Sequence, residues 1–248
     1  MTDYNAIIAG TGSYVPEKRL TNEDLAKMVD TTDEWIVQRT GIRERRIAGS
    51  HESTATLASH AATRALQSAG LEPKHLDLII VATASPEMCF PATACFVAAS
   101  LGLHSTPAYD INAACSGFLF ALDTGTSFVK SGRFQTVLVI GAEVLSRLTD
   151  YTDRGSCILF GDGAGAVVLR KSHEQRRGIL YSSMYCDGRG WEMIHCLPGS
   201  RHPIDATMVA GRQQYMKIRG RDVYKFAVQR FNEMIEDAMR KCDLTVDK

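Results

Sequence analysis

The chain has 248 residues, 45% hydrophobic and 23% charged, an ordinary globular composition long enough to bury a core in one large or two small domains. Its 28 basic and 28 acidic residues cancel, which excludes the bulk charge of a nucleic-acid or anionic-membrane binder. Seven cysteines, an odd number with no C-x-x-C pair, argue against a disulfide framework or a zinc site and fit a reducing cytoplasm.

Residues 1–5 carry no basic n-region or long apolar run, so no signal peptide is expected, and no stretch approaches membrane-spanning length. A first strand is expected at Ala6-Ile7-Ile8-Ala9, ending in Gly10-Thr11-Gly12. The sequel Tyr14-Val15-Pro16 does not open a helix, so this is not a dinucleotide fingerprint. A short helix is expected over 20–28 and a second from Thr31, with Glu34 at capping-box spacing. Trp35 and Arg39, four apart, share one face of that helix. An indole beside a guanidinium can form a platform for a base and its phosphates, although spacing alone equally suits a core Trp beside a surface Arg. Arg43, Arg45 and Arg46 read as a solvated basic face.

Residues 53–69 read as an Ala-rich helix closed by Gly70, and 76–82 as a buried strand. Pro91 opens a helix of small apolar residues, 92–101, and 136–143 is a second buried strand. The glycines of Gly161-Asp162-Gly163-Ala164-Gly165 precede the strand 166–169, whereas a phosphate loop precedes a helix; they are expected to form a tight turn. A new strand set is expected from 178, a loop over 198–211, a strand over 215–218 and a long amphipathic helix over 222–241. Residues 65–74 can be laid on 238–247, a weak internal repeat consistent with two similar α/β halves.

Tyr109-Asp110-Ile111 reads as a strand that turns through small residues into an apolar helix beginning near Phe118. Cys115 thus stands at a strand-to-helix turn, where unpaired amides and the positive end of the helix dipole stabilise a thiolate. Ala113, Ala114, Ser116 and Gly117 leave room for a substrate. An arbitrary cysteine is more often a buried core residue, but this context points to a nucleophile.

The run Asn112-Ala113-Ala114-Cys115-Ser116-Gly117-Phe118 resembles the nucleophile motif of β-ketoacyl-[acyl-carrier-protein] synthase III, a thiolase-fold condensing enzyme. Tyr14-Val15-Pro16-Glu17, the run from Asp33 through Trp35 and Arg39 to Ile42, and Leu159-Phe160-Gly161-Asp162-Gly163-Ala164-Gly165-Ala166 resemble it too, in the family's order.

The resemblance implies an α/β, five-layered α-β-α-β-α sandwich of two similar halves, the first over 1–170 and an incomplete second over 171–248. It implies acetyl-coenzyme A, or another short acyl-coenzyme A, as acyl donor to Cys115, and decarboxylative condensation with malonyl-[acyl-carrier-protein] to acetoacetyl-carrier protein, with no cofactor or metal. Thr31, Trp35, Arg39, Thr40, Arg154, Gly155, Phe160, Gly220 and Tyr224 are the implied coenzyme A and pantetheine contacts, with Trp35 and Arg154 on the two faces of the adenine. Phe90 is the implied acyl-pocket residue reaching into the partner of a homodimer. Lys225, with Arg219 and Arg221 near, matches part of an implied carrier-protein docking surface, although the two arginines equally suit a plain charged helix face. The family's His and Asn lie in P-H-Q-A-N and G-N-T-S motifs, and neither occurs in these 248 residues. These residues are therefore expected to acylate Cys115 slowly at best, with the condensing step failing and apolar helix faces left uncovered. Two other readings are a cysteine hydrolase pairing Cys115 with His195 or His202, and a non-catalytic dimerisation or carrier-binding fragment.

Overall fold

A computed structural model of the chain describes residues 4–174 and 177–245; the extreme N-terminal reading and the end of the second repeat copy fall outside these residues. In chain order the elements begin with β1 (Asn5–Tyr14), β2 (Arg19–Thr21), α1 (Asn22–Ala26), α2 (Asp33–Thr40), β3 (Glu44–Arg46) and α3 (Thr54–Ala69). Then come β4 (Leu78–Ala82), α4 (Thr93–Ser100), β5 (Ala108–Ile111), α5 (Gly117–Lys130), β6 (Thr136–Val144) and β7 (Asp162–Ser172). The last are β8 (Ile194–His195), α6 (Ala206–Ala210), β9 (Lys217–Ile218) and α7 (Gly220–Cys242). The chain forms two compact units. Of the described residues, one comprises 4–18, 46–144, 161–174 and 177–180, the other 19–45, 145–160 and 181–245.

The first unit is an α/β/α sandwich around a sheet of order β1-β7-β6-β4-β5. Strand β4 runs parallel to β5 and β6, and β7 runs antiparallel to β6 and β1. The parallel pairs follow from the helices α4 and α5 between them, since a parallel connection needs a crossover. Every residue of β4 is buried. Period-two alternation sends Ile79, Val81, Leu138 and Ile140 into the core shared with α3 and α4. Leu78, Ile80, Val137 and Val139 go into the core shared with α5.

Strand β1 continues through Gly10-Thr11-Gly12 to Tyr14, two residues beyond the expected end at Gly12, with a register shift between Ile8 and Gly10. The glycines are there because α3 crosses the strand closely. A Cβ on Gly10 would lie 2.4 Å from the Ala69 amide nitrogen, and one on Gly12 2.3 Å from the Ala61 carbonyl oxygen. The apposed face of α3 is correspondingly small, with Ala58, Ala61, Ala62 and Ala65 fully buried. The helix is closed as expected, by a Ser53 capping box and by Gly70 in the left-handed region at φ +64°.

In place of the turn expected at 161–165, residues 162–165 are the start of β7, which lies between β6 and β1 and pairs antiparallel with both. Glycine punctuation reads as a turn, but neither Gly163 nor Gly165 has a positive φ. Among the described residues there is one large sheet; β8 and β9 form a two-residue antiparallel ladder in place of the strand set expected from 178.

The second unit holds a smaller core of Leu25, Ile36, Cys157 and Ile158. Its first helix covers 22–26 only, capped by Thr21, with Leu20 in β2. Arg45 is not on a solvated face but 3% exposed. Its Nε and Nη2 donate to the Ile158 carbonyl at 2.9 and 2.5 Å, and its Nη1 to Asn22 Oδ1 at 2.5 Å. Helix α7 runs where a long amphipathic helix was expected and has no buried residue; Tyr224, Val228, Phe231 and Ile235, spaced at i, i+4, i+7 and i+11, are all exposed. No helix is long and apolar enough to cross a membrane among the described residues.

Candidate active site

Edge strand β5 ends at Ile111, a 3₁₀ turn spans 114–116, and α5 follows. Asn112 Oδ1 accepts the Ala114 amide at 3.2 Å, and the Ser116 amide donates to the Ala113 carbonyl at 3.1 Å. Ala114 sits in the left-handed region at φ +45°, an uncommon place for a residue with a Cβ and a strain of the kind found at functional turns. Among the described residues the N-cap Ser116 makes no side-chain cap to α5, and the Gly117 amide donates to the Ala114 carbonyl. Cys115 is exposed at this point, flanked by exposed Ala114 and Ser116. Cys157, by contrast, is fully buried, and burial pushes its thiol up, away from nucleophilic use. Behind the turn, the Phe118 ring packs against Gly141, where an added Cβ would lie 3.2 Å from the ring.

Two carboxylates that the sequence reading passed over brace this end of the sheet. Asp110 accepts the Thr93 and Ala94 amides at 2.6 and 2.8 Å. Glu143 accepts the Ala84 and Ser85 amides at 2.8 and 3.0 Å and the Ser85 hydroxyl at 2.5 Å. Asp110 had a legible signal: the N-cap position of α4 is Ala92, which offers no side-chain oxygen, so the cap must come from elsewhere. Phe90 precedes a cis peptide bond to Pro91 and is 84% exposed.

In the second unit, α2 is capped by Thr32, not Thr31, and the Thr32 hydroxyl accepts the Trp35 amide at 3.1 Å. Gly41 closes the helix at φ +71°. The guanidinium carbons of Arg39 and Arg154 each lie 4.3 Å from the centre of the Trp35 ring. Trp35 and Arg154 are thus brought together across more than a hundred residues, with Arg154 directly on the indole. Arg154 projects from a turn that Asp153 organises by accepting the Gly155 amide at 2.9 Å and the Ser156 hydroxyl at 2.6 Å. Thr31 is buried, and its hydroxyl has no hydrogen-bond partner among the described residues. Thr40 is occupied locally, donating to the Ile36 carbonyl and accepting the Ile42 amide. Phe160 is half-buried, Gly220 is the first residue of α7, and Tyr224 and Lys225 are exposed on its first turns. His195 packs edge-on against Trp191 with ring centres 5.5 Å apart.

Chemically, the first unit carries an exposed thiol at a helix start on an α/β sheet, and the second unit, taken by itself, carries an aromatic–guanidinium cluster. Those features fit the class of thiolase-like acyltransferases. Comparison with known proteins gives the family. The profile of 3-oxoacyl-[acyl-carrier-protein (ACP)] synthase III matches residues 109–188. Beta-ketoacyl-[acyl-carrier-protein] synthase III of Caldanaerobacter subterraneus subsp. tengcongensis is 48% identical over 240 residues, 96% of this chain and 72% of that protein. The protein of the same name from Clostridium acetobutylicum is 45% identical over 243 residues, 97% of this chain and 73% of that protein. The crystal structure of 3-oxoacyl-[acyl-carrier-protein] synthase III from Aquifex aeolicus VF5 superposes with a TM-score of 0.85 at 44% identity, covering 97% of this chain and 73% of that one. The Pseudomonas aeruginosa PAO1 enzyme superposes with a TM-score of 0.87 at 36% identity, covering 97% and 72%. The chain belongs to the β-ketoacyl-[acyl-carrier-protein] synthase III family, and the thiolase-like fold expected from its motifs is the fold it has.

Proposed function

We propose that this chain takes part in the reaction of its family as the acyl-accepting component. Cys115 takes an acyl group from acetyl-coenzyme A or another short acyl-coenzyme A. The acyl-Cys115 thioester then condenses with malonyl-[acyl-carrier-protein] to start a fatty acid. The observation that carries this reading is Cys115 standing exposed on a turn held by a left-handed Ala114, ahead of helix α5.

In the first step Sγ attacks the thioester carbonyl, a tetrahedral oxyanion forms and collapses, and the coenzyme A thiolate leaves. The amides of the α5 first turn are the natural donors to that oxyanion. In the second step malonyl-carrier protein loses carbon dioxide, and the resulting carbanion attacks the acyl-Cys115 carbonyl. This expels the Cys115 thiolate and leaves acetoacetyl-carrier protein. Enolate stabilisation in the family is the work of the His and Asn of P-H-Q-A-N and G-N-T-S, and these 248 residues contain neither motif. Acylation is accordingly assigned to Cys115, and no residue of this chain is assigned to the decarboxylation step.

Trp35, Arg39 and Arg154 hold the adenine end of coenzyme A, with Thr31, Thr40, Gly155 and Phe160 around it and Gly220 and Tyr224 along its pantetheine arm. The Trp35 cluster supports this reading: a purine can take the place of Arg154 on the indole and be covered by that guanidinium on its other face, while Arg39 meets the phosphates. Lys225 offers a cationic contact for the acidic carrier protein on an exposed helix face. Homodimerisation, with Phe90 entering the partner's acyl pocket, is supported by an edge strand β5 and a nearly fully exposed Phe90. A cytoplasmic location completes the reading. The test is to incubate the purified chain with labelled acetyl-coenzyme A and with malonyl-carrier protein, following coenzyme A release and carbon-dioxide release separately. The reading expects coenzyme A release that disappears in Cys115→Ala. Coenzyme A release persisting in that variant would sink it.

A further inference from the structure

Asp150 is 3% exposed, and its carboxylate is the meeting point of two segments far apart in sequence. Arg212 reaches it with two nitrogens, Nε at 3.1 Å from both oxygens and Nη2 at 2.6 Å from Oδ1. Lys217 Nζ lies 3.7 Å from Oδ2. The Thr152 amide and hydroxyl donate to Oδ1 at 3.0 and 2.7 Å. A backbone bond from the Met216 amide to the Leu148 carbonyl, 2.8 Å, runs alongside. Arg212 itself is in the left-handed region at φ +52°, a backbone strain that the ion pair helps to hold. Arg and Lys thus converge on one buried carboxylate, the geometry in which a charge pair is directional and its loss is felt.

The segment on one side of this junction runs Asp150, Thr152, Asp153 and Arg154, with the Asp153 amide bonded back to the Asp150 carbonyl at 3.0 Å. It ends with Arg154 on Trp35. The segment on the other side runs from Arg212 through β9 into Gly220 and Tyr224 at the start of α7. We infer that Asp150, through its two-pronged pair with Arg212, is a positioning residue that holds the Arg154 turn against Trp35 in register with the start of α7. It sets the affinity for the nucleotide end of an acyl-coenzyme A without touching it. This rests on the coenzyme A reading of the Trp35 cluster, and its test keeps the two apart.

The test uses the full chain carrying Trp191→Phe, which leaves Trp35 as the sole tryptophan. Asp150→Asn and, because it is half-exposed and easier to replace, Arg212→Gln are compared with that background. Acrylamide quenching of Trp35 is read without ligand, and coenzyme A affinity is read by calorimetry. Quenching is expected to rise in both variants as Arg154 leaves the indole, and coenzyme A binding to weaken about tenfold. Arg212→Lys, which keeps the charge but loses the fork, should fall between them and the background. Quenching unchanged in both variants overturns the latch whether or not coenzyme A binds. Raised quenching with unchanged affinity, in a background that does bind coenzyme A, overturns its positioning role. A background that binds no coenzyme A overturns the proposed function, while the quenching arm still decides the latch.

Discussion

The Asp110 carboxylate caps helix α4, accepting the Thr93 amide at 2.6 Å and the Ala94 amide at 2.8 Å. Asp110 lies in β5, five residues before Cys115, so the cap ties the strand that leads into the Cys115 turn to the neighbouring helix. A carboxylate here also meets the positive end of the helix dipole. Asp110→Ala is predicted to cost about 1–2 kcal/mol of stability. It should also slow alkylation of Cys115 by iodoacetamide, read by urea unfolding and by mass spectrometry of the Cys115 peptide. Stability and Cys115 reactivity both at the parent level would show that the cap holds nothing in place.

Two glycines make a matched pair. Gly12→Ala puts a Cβ 2.3 Å from both the Ala61 carbonyl and the Ala65 amide, where only backbone can give way. A loss of about 1–3 kcal/mol or more is expected. Gly165→Ala meets nothing within 4 Å, at an ordinary strand φ. It should be neutral or slightly stabilising, because alanine loses less chain entropy on folding. If Gly165→Ala proved as damaging as Gly12→Ala in a thermal melt, 161–165 would be the tight turn expected from the sequence and not the start of β7.

Which features were readable follows from how local their causes are. The run Leu78-Ile79-Ile80-Val81-Ala82 declares a buried strand by itself, and Ser53 and Gly70 bracket their helix with chemistry of their own. The Cys115 turn is equally local: strand, small residues and helix lie in one stretch. Gly10 and Gly12 read as the end of the strand because their reason lies in helix α3, which starts more than forty residues on. Arg45 looked like surface because its acceptors, Asn22 and the Ile158 carbonyl, come from distant segments. The pairing of Trp35 with Arg154 was accessible only through family resemblance, since no periodicity links positions so far apart.

Arg45 yields its own prediction. Arg45→Met keeps bulk but strips the donors from the Ile158 carbonyl and from Asn22 Oδ1. The cost should be about 2–4 kcal/mol, because hydrogen bonds from a charged donor are lost and buried acceptors are left unpaired. Chemical denaturation of the variant with a midpoint equal to the parent's would contradict the bonding described.

Acid should expose the Asp150 junction. The Arg212 guanidinium holds the Asp150 carboxyl well below its ordinary 3.8, with Thr152 adding to the effect and burial opposing it. Lys217 is the other charge in contact. A carboxyl lowered on folding contributes stability that is fully present above the unfolded value and is lost as pH falls toward the folded one. The stability gap between the parent and Asp150→Asn should therefore be widest near neutrality and close as pH drops below 3.8. A gap constant from pH 7 to about pH 2 would mean that the carboxylate charge is not what holds Arg212.

The central claim is that one sulfur, Cys115, accepts the acyl group. The most direct measurement is peptide mapping of the intact chain after brief exposure to labelled acetyl-coenzyme A. The account predicts a hydroxylamine-labile acetyl label on the peptide containing Cys115 and no label anywhere in Cys115→Ala. Label spread over the other exposed cysteines, such as Cys89 and Cys95, with Cys115 unmodified would contradict it.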